Sequence, residues 1–312
     1  MTKRLDFSSM PAEAAERFNV ASFDGTRIAT YRLHAAPDHK PAAVLLWAHA
    51  NGFSAGSYLP LLQQLTDDFV VYGYDVRGHG GSEYPPAPLN DGLSFDAFAE
   101  DLRHVVLAAM AREADDAQFY FAGHSFSAAA MYHLGGNRGF APWHAVTTFD
   151  ATMMPSDNTR LADWARETGT GRIGRTLRRR KTFKDIDAYR LAISRPGAFD
   201  TWEEPMLRAH ARASAKPMGD RVTLACPPEV EAGVYLAVMD DEPYSGLGNF
   251  ALPALLVGAD ANANGTWVGQ VQHSAAACLP NGRAVVMEGC GHMMPFEKPH
   301  ACAAHIRAML SA

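Results

Sequence analysis

Phe119-Tyr120-Phe121-Ala122-Gly123-His124-Ser125-Phe126-Ser127-Ala128 is an apolar run that ends at a glycine, turns at a serine and restarts among small residues. Apolar residues in continuous succession, without alternation, suit a strand buried on both faces. Ala128 to Leu134 then reads as a helix. A serine on so sharp a strand-to-helix turn is held strained and accessible, and small neighbours are needed because the backbone packs tightly there. The spacing Gly123-x-Ser125-x-Ser127 differs from G-x-S-x-G in its last place, where serine is small enough to fit. Ser125 is therefore the candidate nucleophile. The amide of Phe126, the next residue, is a candidate donor to an oxyanion forming on an attacked carbonyl.

Outward from this turn, VLLWA (Val44 to Ala48), FVVYGY (Phe69 to Tyr74) and VTTF (Val146 to Phe149) are further continuous apolar runs of strand length. Val20 to Leu33 holds two strand-like runs around Asp24-Gly25, a pair suited to a tight hairpin turn. Ser94 caps a helix whose Phe95, Phe98, Leu102, Val105 and Val106 form one apolar stripe. Alternating strands and helices predict an α/β fold, a mostly parallel doubly wound sheet with an antiparallel N-terminal hairpin. After Asp150 the pattern breaks for about a hundred residues rich in Arg, Ala, Glu and Pro, which read as short amphipathic helices without a strong strand signal. Strands resume at LPALLVG (Leu252 to Gly258) and RAVVME (Arg283 to Glu288), and HACAAHIRAML (His300 to Leu310) closes the chain as a helix. The expected division is a core of residues 1–150 and 251–312 with a helical lid insertion, 151–250, over the carboxyl ends of the strands.

A serine hydroxyl needs a general base within hydrogen-bonding reach. His292 has the setting for it, in Gly289-Cys290-Gly291-His292 just after the last strand, where glycines let a loop bring the ring back over the sheet. A carboxylate must then fix the imidazole tautomer. Asp260, ending the strand after the insertion, is the first choice; Asp150, ending the strand before it, is the rival. The second oxyanion donor is expected from His49-Ala50-Asn51-Gly52-Phe53, at the amide of Asn51. Met153, Met154, Met293 and Met294 suit either an apolar pocket or the core.

Together these residues resemble the α/β-hydrolase superfamily, in its lid-bearing serine hydrolase and esterase branch. His49 to Phe53 is similar to its oxyanion loop, Asp75-Val76-Arg77-Gly78-His79-Gly80-Gly81-Ser82 to its D-x-R-G-x-G-x-S turn, and Gly291-His292 with Glu297 and Pro299 to its G-H-x-x-x-x-E-x-P tail. The resemblance implies a cofactor-independent, metal-free hydrolase that cleaves a small or medium apolar ester through an acyl-enzyme, with carbon-carbon bond hydrolysis or non-catalytic ligand binding as alternatives. Asp260 follows Gly258 by two places where the family more often has three.

Composition bounds the partners. The chain has 312 residues, 47% of them hydrophobic and 20% charged, enough apolar material for a buried core. A net charge of -6 and a pI near 6.1 argue against nucleic acid, leaving a small-molecule substrate. Arg178, Arg179, Arg180 and Lys181 are the exception, read as a solvated helix face with an acidic-substrate or membrane-surface patch as the alternative. Cys226, Cys278, Cys290 and Cys302 have no zinc spacing and read as buried free thiols. With no apolar leader or long apolar stretch, a cytoplasmic protein without a membrane partner is expected.

Overall fold

The computed structural model describes residues 8–35, 41, 43–86, 92–195, 199–240, 242–264 and 267–311. Its main sheet has eight strands: β1 (Ala15–Ala21), β2 (Arg27–Leu33), β3 (Ala43–Ala48), β4 (Val70–Tyr74), β5 (Gln118–His124), β6 (Ala145–Phe149), β10 (Ala254–Ala259) and β11 (Gly282–Met287). Their spatial order is β1-β2-β4-β3-β5-β6-β10-β11. β1 and β2 form the expected antiparallel hairpin, turned at Gly25 (φ 83°), and β2 is antiparallel to β4. From β4 to β11 the neighbouring strands run parallel.

Alternation along β3 shows why its run is apolar throughout. Val44, Leu46 and Ala48 enter one core with α2 (Phe95–Met110) and α3 (Phe126–Tyr132), while Leu45 and Trp47 enter the other. That second core takes in α1 (Leu59–Gln63) and the helix Pro299–Arg307. Ser94 caps α2 as its position predicts, its hydroxyl accepting from Ala97 N at 3.2 Å. Three thiols are buried, but Cys278, in the final turn of the helix Trp267–Cys278, is exposed. Among the described residues no helix is long and apolar enough to cross a membrane.

Between β6 and β10 lie α4 (Thr159–Leu177), α5 (Ile186–Ile193), α6 (Glu204–Ala213) and α7 (Pro228–Ala237). Helices are joined there by strands that the amphipathic pattern does not predict. β7 (Thr182–Phe183), β8 (Ala215–Met218) and β9 (Arg221–Leu224) form an antiparallel sheet ordered β7-β9-β8. These strands have two to four residues and include Lys216, Pro217 and Arg221, so they carry little strand-like hydrophobicity. Phe183, Tyr189, Ala211, Ala215, Val222 and Leu224 give this region a small core of its own.

The turn after β4 anchors the strand ends beneath the site. Asp75 is wholly buried; one carboxylate oxygen accepts from Ala55 N (2.8 Å), the other from Gly81 N (2.8 Å) and Tyr31 Oη (2.6 Å). Gly80 has φ 48°, and a Cβ there would lie 2.2 Å from Asp75 Oδ2, so glycine is needed on both counts. Arg77 forks onto Asp101 with two 2.7 Å bonds and donates to the Gly92 carbonyl.

Candidate active site

β5 delivers Ser125 at φ 64° and ψ -131°, a backbone conformation that non-glycine residues rarely occupy and that costs about 1–3 kcal/mol. Neighbouring chain holds it there: Ser125 N donates to the Phe149 carbonyl (3.0 Å), and Thr152 N donates to the Ser125 carbonyl (3.2 Å). A Cβ on Gly123 would sit 2.8 Å from the Phe121 ring, which explains the glycine before the serine. Ser127, in the place where glycine is usual, does more than fit. Its hydroxyl donates to the His49 carbonyl, tying the first turn of α3 to the loop after β3.

His292 Nε2 lies 3.2 Å from Ser125 Oγ, and His292 Nδ1 lies 2.7 Å from Asp150 Oδ2. Asp150 is wholly buried, and its Oδ1 accepts from Ala259 N at 2.9 Å. The carboxylate beside His292 is therefore that of Asp150, correcting the first choice of Asp260. Asp260 accepts from Asn262 N (2.8 Å) and Gly289 N (3.0 Å) and so braces the loop leading to His292. Strand order explains the difference. β6 is the immediate neighbour of β5, whereas β10 lies one strand further out, about 4.8 Å more. At φ 46° the backbone of Asp150 also departs from its strand, directly past Phe149.

The loop after β3 is fixed through buried rings. His49 Nδ1 donates to the Ala50 carbonyl (2.8 Å) and its Nε2 accepts from Val76 N (2.9 Å), while burial lowers its pKa to about 4. Burial, with a smaller contribution from His49, lowers that of His79 to about 3, and its Nε2 donates to Asn51 Oδ1 (3.1 Å). Asn51 Nδ2 donates to the Glu231 carbonyl at 2.9 Å. His124, next to the nucleophile position, points away from it: Nδ1 accepts from Tyr58 Oη (2.7 Å) and Nε2 donates to the His292 carbonyl (2.8 Å). Burial keeps His124 well below the ordinary histidine range, so this brace is neutral.

Asn51, Ser125 and Phe126 line a narrow chamber of about 40 Å³. Asn51 and Ser125 also border a wider one of about 600 Å³, together with His292. Met154 faces the narrow chamber and Met293 the wide one, whereas Met153 and Met294 are wholly buried. Arg179 and Arg180 of the basic run line the wide chamber, so they are not merely a solvated helix face.

Two polar groups escape the sequence reading. Thr152 Oγ1 lies 3.1 Å from Ser125 Oγ. Glu231 is buried beside Gly52, with Arg179 at 2.9 Å; desolvation raises its pKa, opposed by Arg179 and Arg172. The position of Thr152, two places after Asp150, is the only hint of it in the sequence. Away from this site, Asp96, His133 and Glu242 bring potential metal-ligand atoms within 4.8 Å of one another, but Arg138 already lies 2.7 Å from Asp96 Oδ1.

The sequence profile described as Alpha/beta hydrolase family matches residues 44–305. The structure is similar to that of E-2-(acetamidomethylene)succinate hydrolase, at 17% identity and TM-score 0.76, covering 96% of this chain and all of that one. It is also similar to a thermophilic esterase from Thermogutta terrifontis (16% identity, TM-score 0.64, covering 95% and 98%). A third likeness is to the enol-lactonase from Burkholderia xenovorans LB400 (18%, 0.63, covering 95% and 100%). No curated protein sequence matches significantly.

Proposed function

The chain belongs to the alpha/beta hydrolase family, and from that premise we propose that it is a serine hydrolase cleaving a carboxylic ester of a small or medium substrate through an acyl-enzyme. The observation that carries this reading is the line from Ser125 Oγ through His292 to Asp150, with contacts of 3.2 and 2.7 Å, at a strained strand-helix turn. In this reading Ser125 Oγ attacks the carbonyl while His292 Nε2 takes its proton. Asp150 holds His292 with Nδ1 protonated and stabilises the imidazolium. The amides of Phe126 and Asn51 receive the oxyanion, His292 protonates the leaving oxygen, and water repeats the sequence on the acyl-enzyme. Asp260 has the separate task of holding the His292 loop.

Incubation with a fluorophosphonate probe, followed by mass spectrometry of the adduct, tests the proposal. Labelling is expected at Ser125, absent in Ser125→Ala and greatly slowed in His292→Ala. A folded wild-type chain that stays unlabelled and hydrolyses no ester overturns it.

A further inference from the structure

The two chambers differ in charge, and they meet at the nucleophile. Both are bordered by Asn51, Ser125, Arg172 and Tyr235. Apart from Arg172 at this junction, the narrow chamber is lined by uncharged residues such as Met154, Val238 and Trp267. The wide chamber has four guanidinium groups, Arg172, Arg179, Arg180 and Arg195, against one carboxylate, Glu231. His210 on its wall is driven by burial to a pKa of about 3 and adds no charge near neutrality. Among the described residues the lining is thus formally +3, four cations less one anion, within a chain of net charge -6.

Glu231 accounts for one of these cations, through its ion pair with Arg179. No carboxylate of the described residues lies within ion-pair distance of Arg172, Arg180 or Arg195. Arg172 is held over the Tyr235 ring (5.4 Å to its centroid) and Arg180 over Phe183 (4.6 Å). Stacking of this kind fixes the plane of a guanidinium; Arg180 Nε donates to the Thr182 carbonyl (2.7 Å), which leaves its terminal N–H groups to meet a carboxylate. The rest of the wall, including Phe53, Ile193 and Leu224, is apolar.

Resting on the assignment of Ser125 as nucleophile, we infer that the substrate is an ester of a short acyl group with a carboxylate-bearing alcohol or phenol. The acyl group occupies the narrow chamber and the anionic leaving group the arginine-lined one. This replaces the expectation of an apolar ester. At about 40 Å³ against about 600 Å³, the narrow chamber suits the smaller half of the ester and the wide one the larger. In the first half-reaction the Ser125 Oγ–acyl carbon bond forms, the acyl carbon–oxygen bond breaks, and the serine proton passes by His292 to the leaving oxygen. Departure of the anionic alcohol empties the wide chamber for water, whose oxygen joins the acyl carbon as the Ser125 Oγ–acyl bond breaks; a water proton passes by His292 to Ser125 Oγ and the short acid leaves.

The test compares 4-acetoxybenzoate with its neutral methyl ester, each rate divided by that ester's hydroxide-catalysed hydrolysis. Both form the same acetyl-enzyme, so a preference arising from the leaving group appears in kcat/KM. We expect kcat/KM to favour the carboxylate by about tenfold at low ionic strength, less in added salt, with the ratio falling towards one in Arg172→Met and Arg195→Met. A ratio at or below one, or turnover of neither ester, in a protein whose Ser125 still reacts with fluorophosphonate overturns the anionic class and spares the nucleophile. A tenfold ratio unchanged in both variants overturns the assignment to these arginines. Loss of both labelling and turnover removes the underlying reading as well.

Discussion

Around the floor of the cavity, His49, His79 and His124 are wholly buried and neutral; His49 and His124 each bond a distant backbone group, and His79 bonds the Asn51 side chain. On its walls, Arg179 and Arg180 are exposed, and they project from an insertion whose own core is a handful of side chains. The floor is thus cross-braced by neutral rings, whereas the wall carries cations that face solvent. Fixed dipoles suit a bond-breaking step, which gains from donors that need not reorganise. Solvated cations suit the selection of a ligand, which gains from long reach.

The largest expected effect is at the floor. Asp150→Asn should lower kcat about 10⁴-fold by favouring the wrong imidazole tautomer, while Asp260→Asn, altering the bonds to Asn262 N and Gly289 N, should cost less than tenfold. Ester turnover by the two purified variants measures this, and equal losses would put the floor's geometry in question.

Next in size is an acid dependence of stability. His49, His79 and His210 have folded-state pKa values near 4, 3 and 3, set by burial, against about 6.5 in the unfolded chain. Between those limits the unfolded chain binds more protons, so stability falls as pH drops below about 6.5 towards 4. Each ring contributes up to about 1.4 kcal/mol per pH unit. Urea unfolding at pH 7.5 and pH 5 should differ by several kcal/mol; equal free energies would mean that the rings are not held neutral.

The smallest effect belongs to Ser127. Ser127→Ala leaves the buried His49 carbonyl without this donor, at a cost of about 1–2 kcal/mol in the same unfolding measurement. No change would mean that this bond does not couple the turn at Ser125 to the loop after β3.

Much of the floor was legible because local backbone demands mark it. The apolar runs gave the strands, and the glycines around Ser125 and His292 marked the turns that carry them. The choice between Asp150 and Asp260 was not legible in the same way. Both end a strand, and what separates them is the placement of β6 next to β5, a pairing between distant parts of the chain that no apolar run encodes. The small sheet of the insertion left one readable trace, the Gly219-Asp220 pair between β8 and β9, where Gly219 takes φ 63°. The basic run at 178–181 was visible as charge, but which arginines turn inward depends on how α4 and the strands after it lie over Ser125.

The bond from Ser127 to the His49 carbonyl joins the end of β5 to the end of β3, both embedded in the large cores. On warming, the turn at Ser125 and the loop after β3 are therefore expected to hold together until the sheet itself gives way. Arg179 and Arg180, exposed beside the small core of Phe183, Tyr189 and Val222, rest on fewer packed side chains, so that edge is expected to loosen at a lower temperature. On the proposed reading, selectivity is then the first property to melt: the ratio of anionic to neutral ester cleavage is expected to fade while total turnover persists, leaving the warmed protein less discriminating before it becomes inactive.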